Sequence, residues 1–218
     1  MIRALVFDFD GVILDTETAL VEACKEIHRR SGIPCNSTQL LKEVGQASSS
    51  CNPWRHFPPS VDRRALNRRL SRLANQSIIQ LPVMPGVLAL VQAAKAQGLF
   101  IGIASNSSTA RVESHLRSRG LISLFGVIAG RDAGCAPKPA PDLYRRVLRH
   151  FRLQGSEAVA FEDSETGVLA AKRAGLHVVA IPNASTFHHD FASADMRLPS
   201  LAGSELDTIC GVVEALRT

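Results

Sequence analysis

At 218 residues, 45% of them hydrophobic and 21% charged, the chain is long enough for one core domain plus an accessory module around an ordinary apolar core, which argues against a small adaptor. Cys24, Cys35, Cys51, Cys135 and Cys210 are odd in number and form no Cys-x-x-Cys pair, so they read as buried or free thiols of a reducing compartment, not a disulfide framework. The formal charge of +5 would suit nucleic acid, but no leader segment or membrane-length apolar run is visible and the polar segments at the strand ends suit small anions; the expectation is a cytoplasmic protein with no membrane, nucleic-acid or obligate protein partner.

The first element is a predicted strand near 3–8. Its apolar run, Ala4-Leu5-Val6-Phe7, leads into Asp8 and Asp10, alternate positions that share one face where a buried strand meets solvent. Two carboxylates so close repel, and the resolutions are a divalent cation between them or a proton held by one. With a reference pKa of about 4, one of the pair is ionised at neutral pH and can attack an electrophile without an activating base, while the other carries the proton. Asp10-Gly11 is also a common turn dipeptide, so a plain strand-end turn is the competing reading.

Residues 16–83 read as helices near 16–31, 37–44 and 61–78, separated by the stretch 45–60, with no buried strand. In the third helix Arg63, Arg64, Arg68, Arg69 and Arg72 accompany Leu66, Leu70 and Leu73 at helical spacing, one buried stripe beside a basic face. Beyond residue 83 one junction recurs three times, a helical segment closed by glycine and followed by an apolar strand: Gly98 before 99–104, Gly120 before 121–125 and 127–129, and Gly175 before 176–181. With a further strand near 157–162, these units predict an α/β fold, a Rossmann-like parallel sheet with helices on both faces, plus a small all-helical module. The core takes 1–15 and 84–218 and the helical module 16–83, with Pro82 and Pro85 suited to the second crossing.

Open parallel sheets bind ligands at the carboxyl ends of their strands, which directs attention to the residues after each apolar run. After 99–104 come Ser105-Asn106-Ser107-Ser108-Thr109, whose hydroxyls and amide suit phosphoryl oxygens or, more plainly, the N-cap of the next helix. Lys138 lies between Pro137 and Pro139, where a restricted backbone would deliver a point charge to one place. The run Ala158-Val159-Ala160-Phe161 ends in Glu162 and Asp163, hard oxygen ligands suited to Mg²⁺, although Asp163 or Ser164 would also serve as a helix cap.

These four segments resemble, in order, the four motifs of the haloacid dehalogenase superfamily: Asp8 to Thr16 as D-x-D-G-x-[LIV]-x-D-[ST], the Ser105-Asn106 segment, Lys138 to Tyr144 as K-P-x-P-D-x-[YF], and Glu162 to Gly167 as E-D-S-x-x-G. The resemblance covers roughly 1–15 and 84–200 and points to the β-phosphoglucomutase-like and phosphatase branch, with a helical cap inserted after the first strand. It implies that Asp8 is the nucleophile and Asp10 the acid/base, and that Lys138 counters the charge on Asp8 and a phosphoryl group. Ser105, Asn106 and Gly11 would contact the phosphorylated substrate, and Mg²⁺ would be held by Asp8, Asp10 through its backbone carbonyl, and Asp163, with Glu162 in support.

The resemblance thus implies a Mg²⁺-dependent phosphatase acting on a small phosphorylated metabolite, a sugar phosphate or similar, through an aspartyl-phosphate. A phosphomutase is the alternative. The mutases carry a histidine four residues after the Thr16 position and an arginine in the loop after the first cap helices; here stand Leu20 and the arginine-free stretch 45–50. A signalling receiver phosphorylated on Asp8 is a third reading, disfavoured by the helical insert and by Asp10. Substrate choice is expected to lie in residues 45–59, where Gln46, Trp54, Arg55 and His56 match no specificity pattern; Trp54 would either stack on a sugar or fill the module's core. His188-His189-Asp190 reads as a surface loop, because three consecutive side chains point in different directions.

Overall fold

The computed structural model describes residues 1–44, 52–132 and 134–216; the stretch 45–50, with Gln46, and Cys51 lie outside them. Six strands, β1 (Ala4–Phe7), β2 (Phe100–Ala104), β3 (Val127–Ala129), β4 (Ala158–Glu162), β5 (His177–Ala180) and β6 (Met196–Arg197), form one parallel sheet in the order β3-β2-β1-β4-β5-β6. The central strand β1 is buried along its whole length, as an apolar strand covered on both faces must be.

Side-chain alternation divides the sheet into two apolar layers. Leu5, Phe7, Ile101, Ile103, Val159 and Phe161 point to one face, and Ala4, Val6, Ala104, Ala158 and Ala160 to the other. Against the first lie α4 (Val87–Ala96), α5 (Thr109–Arg117) and α8 (Leu206–Ala215); against the second lie α6 (Asp142–Phe151) and α7 (Glu165–Arg173). Phe7 stacks on Phe161 at 4.7 Å between ring centroids, and each fully buried side chain of this size contributes about 1.5–3 kcal/mol.

Between β1 and α4 the chain forms α1 (Thr16–Arg30), α2 (Ser37–Val44) and α3 (Arg63–Gln80). They share a small core of Val21, Cys24, Ile27, Leu40, Trp54, Phe57 and Leu66. Ala19, Ala74 and Ile78 join the main core instead, so α1 and α3 also pack over the sheet's carboxyl edge. The α3 arginines are exposed or half-buried. Arg119 fastens the return to the core: its guanidinium donates to the carbonyl oxygens of Ile78, Ile79 and Leu81 at the end of α3, where Ile78 O also accepts from Leu81 N–H at 3.1 Å.

The three glycine junctions are present, with φ +73° at Gly98, +68° at Gly120 and +85° at Gly175. One expected strand is absent. Within 121–125 the chain makes a 3₁₀ turn, Ile122–Leu124, because Leu121 N–H donates back to Leu116 O at 2.9 Å and closes the end of α5; pairing with β2 resumes only at Gly126, whose N–H donates to Ile101 O at 2.8 Å. Strand β6 carries no sequence signal, since two residues have no period. No helix among the described residues is long and apolar enough to cross a membrane.

Candidate active site

A cavity of about 320 Å³ opens above the carboxyl ends of β1, β2 and β4 and beneath α1 and α3. Its walls carry Asp8, Asp10, Asn106, Ser107, Lys138 and Asp163 from the core, and Ser71, Asn75 and Ile78 from α3. Strand order reverses between β1 and β4, the point at which such sheets form a crevice.

Asp8 follows β1 and is 7% exposed; Lys138, 4% exposed, places Nζ 2.5 Å from Asp8 Oδ1 and 2.5 Å from Glu162 Oε1. The Tyr144 hydroxyl also donates to Glu162, so the K-P-x-P-D-x-Y and E-D-S segments close on one another. Asn106 Oδ1 accepts from Lys138 N–H at 2.9 Å and fixes the lysine loop to the end of β2. Glu162 fits only because residue 167 lacks a side chain: a Cβ at Gly167 would come 1.9 Å from Glu162 Oε2.

The electrostatics follow from one lysine among several carboxylates. Burial raises Asp8 well above the ordinary carboxylate range; Lys138 opposes the rise while Glu162 and Asp10 add to it. Burial and neighbouring Glu17, Asp8 and Glu162 raise Asp163 in the same direction. Burial alone would lower Lys138, but Asp8 and Glu162 carry it above its usual value, so it stays charged. One cation cannot balance the group, and a second positive charge is the natural remedy. Asp8, Glu162 and Asp163 each offer an oxygen within 4.8 Å of the others, a hard-oxygen set that fits Mg²⁺.

Asp10 stands apart from that set. Its Oδ1 accepts from Thr16 Oγ1 at 2.6 Å and its Oδ2 from Ser107 Oγ at 2.6 Å and Ser105 Oγ at 3.3 Å, while Arg111 Nη2 lies 3.9 Å from Oδ1. The carboxylate therefore faces the cavity beside Asp8 without joining its ion pairs. Ser105 is fully buried, and Gly11 donates its N–H to Leu14 O at 2.7 Å; Asn106 and Ser107, not these two, line the cavity. What position 11 requires is φ +82° and the absence of a Cβ, which would lie 2.1 Å from Asp163 Oδ2. The capping roles are real as well: Ser108 Oγ accepts from Arg111 N–H and Ser164 Oγ from Gly167 N–H.

Sequence reasoning misses Glu17, Arg111, Ser71 and Asn75, all on the cavity wall. Glu17 is raised by burial against the opposing hydrogen bond from Ser185. Trp54 fills the helical module's core, with Nε1 donating to Asn67 Oδ1 at 2.7 Å, and Arg55 and His56 border a separate shallow pocket. Among the described part of 45–59, then, no residue faces Asp8, and α3 supplies that wall instead. His189 sits in a turn-rich loop, its Nδ1 accepting from Glu165 N–H at 3.4 Å.

Comparison with known proteins agrees with the motifs. YhcW of Bacillus subtilis (strain 168), whose name provisionally calls it a phosphatase, is 37% identical over 210 residues, 94% of this chain and 95% of its own. The crystal structure of a mutant CbbY from Rhodobacter sphaeroides in complex with xylulose-(1,5)bisphosphate superposes with a TM-score of 0.75 at 29% identity, covering 93% of this chain and 96% of that one. β-Phosphoglucomutase from Clostridium difficile, at 20% identity and a TM-score of 0.73 over 100% of this chain and 99% of its own, shares the fold. The family model for haloacid dehalogenase-like hydrolases matches residues 5–181, and the chain belongs to that family.

Proposed function

We propose that the chain is a Mg²⁺-dependent phosphatase that hydrolyses a small phosphomonoester, a sugar phosphate or a similar metabolite, through an aspartyl-phosphate on Asp8. The observation that carries this reading is the buried Asp8–Lys138 pair at 2.5 Å with the Asp10 carboxylate opening on the same cavity. The phosphatase name of YhcW and the bisphosphate in CbbY support it.

In the first half-reaction an Asp8 oxygen attacks phosphorus, the bond from phosphorus to the ester oxygen breaks, and Asp10 gives its proton to the departing alcohol. In the second, Asp10 takes a proton from water as the water oxygen attacks phosphorus, and the Asp8 carboxylate is released. Lys138 favours the ionised form of Asp8 against the effect of burial and offsets negative charge on the phosphoryl group, while Asn106 holds the lysine loop in place. Asp8, Glu162 and Asp163, with the carbonyl of Asp10, would hold Mg²⁺, which supplies charge neutralisation at the phosphoryl oxygens. Leu20 lines the cavity where the similar mutases carry a histidine, and this apolar side chain favours water over a second sugar hydroxyl as acceptor.

The test is phosphate release from a panel of sugar, nucleotide and small organic phosphates, with Mg²⁺ or with EDTA. Release that needs Mg²⁺ and favours sugar-like esters is expected; release unaffected by EDTA, or none from any ester, would overturn the reading.

A further inference from the structure

After β5 the chain runs Pro182-Asn183-Ala184-Ser185-Thr186, a polar turn that brings Asn183 back to the carboxyl edge of the sheet. Asn183 Nδ2 donates to Asp163 Oδ2 at 2.7 Å and lies 3.5 Å from Gly11 O. The other end of the amide is fixed independently. Its Oδ1 accepts from Ser185 N–H at 2.9 Å and from Thr186 Oγ1 at 3.2 Å and lies 2.6 Å from Ser185 Oγ, and Asn183 N–H donates to Thr186 Oγ1 at 3.1 Å. A backbone N–H can only donate, so the oxygen must face Ser185 and the NH₂ must face Asp163. Ser185 and Thr186 are 2% and 0% exposed, which shields these bonds from competing water. Gly11 provides the space, since a Cβ there would come 2.7 Å from Asn183 Nδ2.

We propose that Asn183 is a positioning residue for Asp163. By occupying Oδ2 it fixes the direction of Oδ1, so that Asp163 presents one oriented oxygen toward Asp8 and Glu162. The Ser185 hydroxyl also meets Glu17 of α1, so the same turn ties the carboxylate group to the helical module. Hydrogen-bonding partners behind a ligating carboxylate are worth about tenfold to a hundredfold in metal affinity. The inference rests on the reading of Asp8, Glu162 and Asp163 as a Mg²⁺ site.

The experiment is Mg²⁺ titration by isothermal calorimetry on the full chain, without substrate, for wild type, N183A, T186V and D163N, with melting temperatures in EDTA. N183A is expected to weaken Mg²⁺ binding about tenfold to a hundredfold while its melting temperature in EDTA stays near that of wild type. T186V removes one hydroxyl donor to Asn183 Oδ1 and the acceptor of Asn183 N–H, leaving Ser185 N–H in place, and is expected to weaken binding by the smaller factor of about threefold to tenfold, which gives a reading even if N183A does not fold. N183A or T186V binding Mg²⁺ as tightly as wild type overturns the positioning role while the site reading stands. Wild type that takes up no more Mg²⁺ than D163N overturns the site reading, and the proposal with it.

Discussion

Lys138 is the residue on which the site's charge balance turns. It is shared by two buried carboxylates, each 2.5 Å from Nζ. Removing one partner of such a group leaves uncompensated buried charge and costs about 3–5 kcal/mol. We therefore expect Lys138→Ala to lose stability as well as activity, with a fall of that order in urea denaturation; an unchanged unfolding midpoint would contradict the pairing. Arg111 is a separate case. Its Nε is buried with no hydrogen-bond partner, its guanidinium lines the cavity near Asp10, and Lys138, the other cation lining the cavity among the described residues, is already engaged. An anionic or hydroxyl-rich part of the substrate would complete it. Arg111→Ala is expected to raise KM about tenfold, the loss of one or two hydrogen bonds to a charged group, with a smaller change in kcat; steady-state kinetics on the preferred ester checks this, and a loss confined to kcat would assign Arg111 to Asp10 instead. Gly167→Ala is expected to destabilise by about 1–3 kcal/mol or more through overpacking, because its Cβ meets Glu162 at 1.9 Å; chemical denaturation measures it.

Among the elements, the strands were legible because a parallel strand covered on both faces must be apolar throughout, as β1 and β4 are. The helices of the insert were legible through their 3.6-residue period, and α2 matches its expected span. The turn at Ile122–Leu124 misled because its apolar residues cover the core without pairing in the sheet. Which polar positions of α3 face the cavity was not legible: Ser71 and Asn75 look like any solvent-side residue until the helix is docked over Asp8. Asn183 left no local signal either, since its partners Asp163 and Gly11 lie 20 and 172 residues away in the chain. The motif residues were legible because their chemistry is unusual at strand ends, whereas Ser105 and Gly11 turned out to shape the site from behind its surface. The junction between insert and core is the element most exposed to disruption. Arg119 is the side chain that meets three carbonyl oxygens at the end of α3, and Arg119→Ala is expected to cost about 1–3 kcal/mol, read as a lower melting temperature with an unchanged fold by circular dichroism.

For the molecule as a whole, the sheet gathers carboxylates from β1 and β4 into one buried group, an arrangement that repulsion weakens unless positive charge is supplied. Lys138 meets part of that demand and Mg²⁺ would meet the rest. At a hundredfold excess over its dissociation constant, a ligand bound only by the folded state adds about 2.7 kcal/mol, or roughly 5–10 °C in melting temperature for a chain of this size. The helical module lies over the same edge, so α3 and the core close one cavity between them. General acid/base catalysis supplies only about 10²–10⁴ of an acceleration that reaches ~10²¹ for phosphate monoesters, which in the proposed mechanism leaves most of the work to covalent capture on Asp8 and to charge neutralisation. Asp8 is thus the group on which the proposed chemistry depends. The measurement that tests it most directly is Mg²⁺-dependent phosphate release from the preferred ester by wild type and Asp8→Asn side by side: the expected result is turnover in wild type and its loss in the variant, and an Asp8→Asn protein that retains turnover would contradict the assignment of Asp8 as nucleophile.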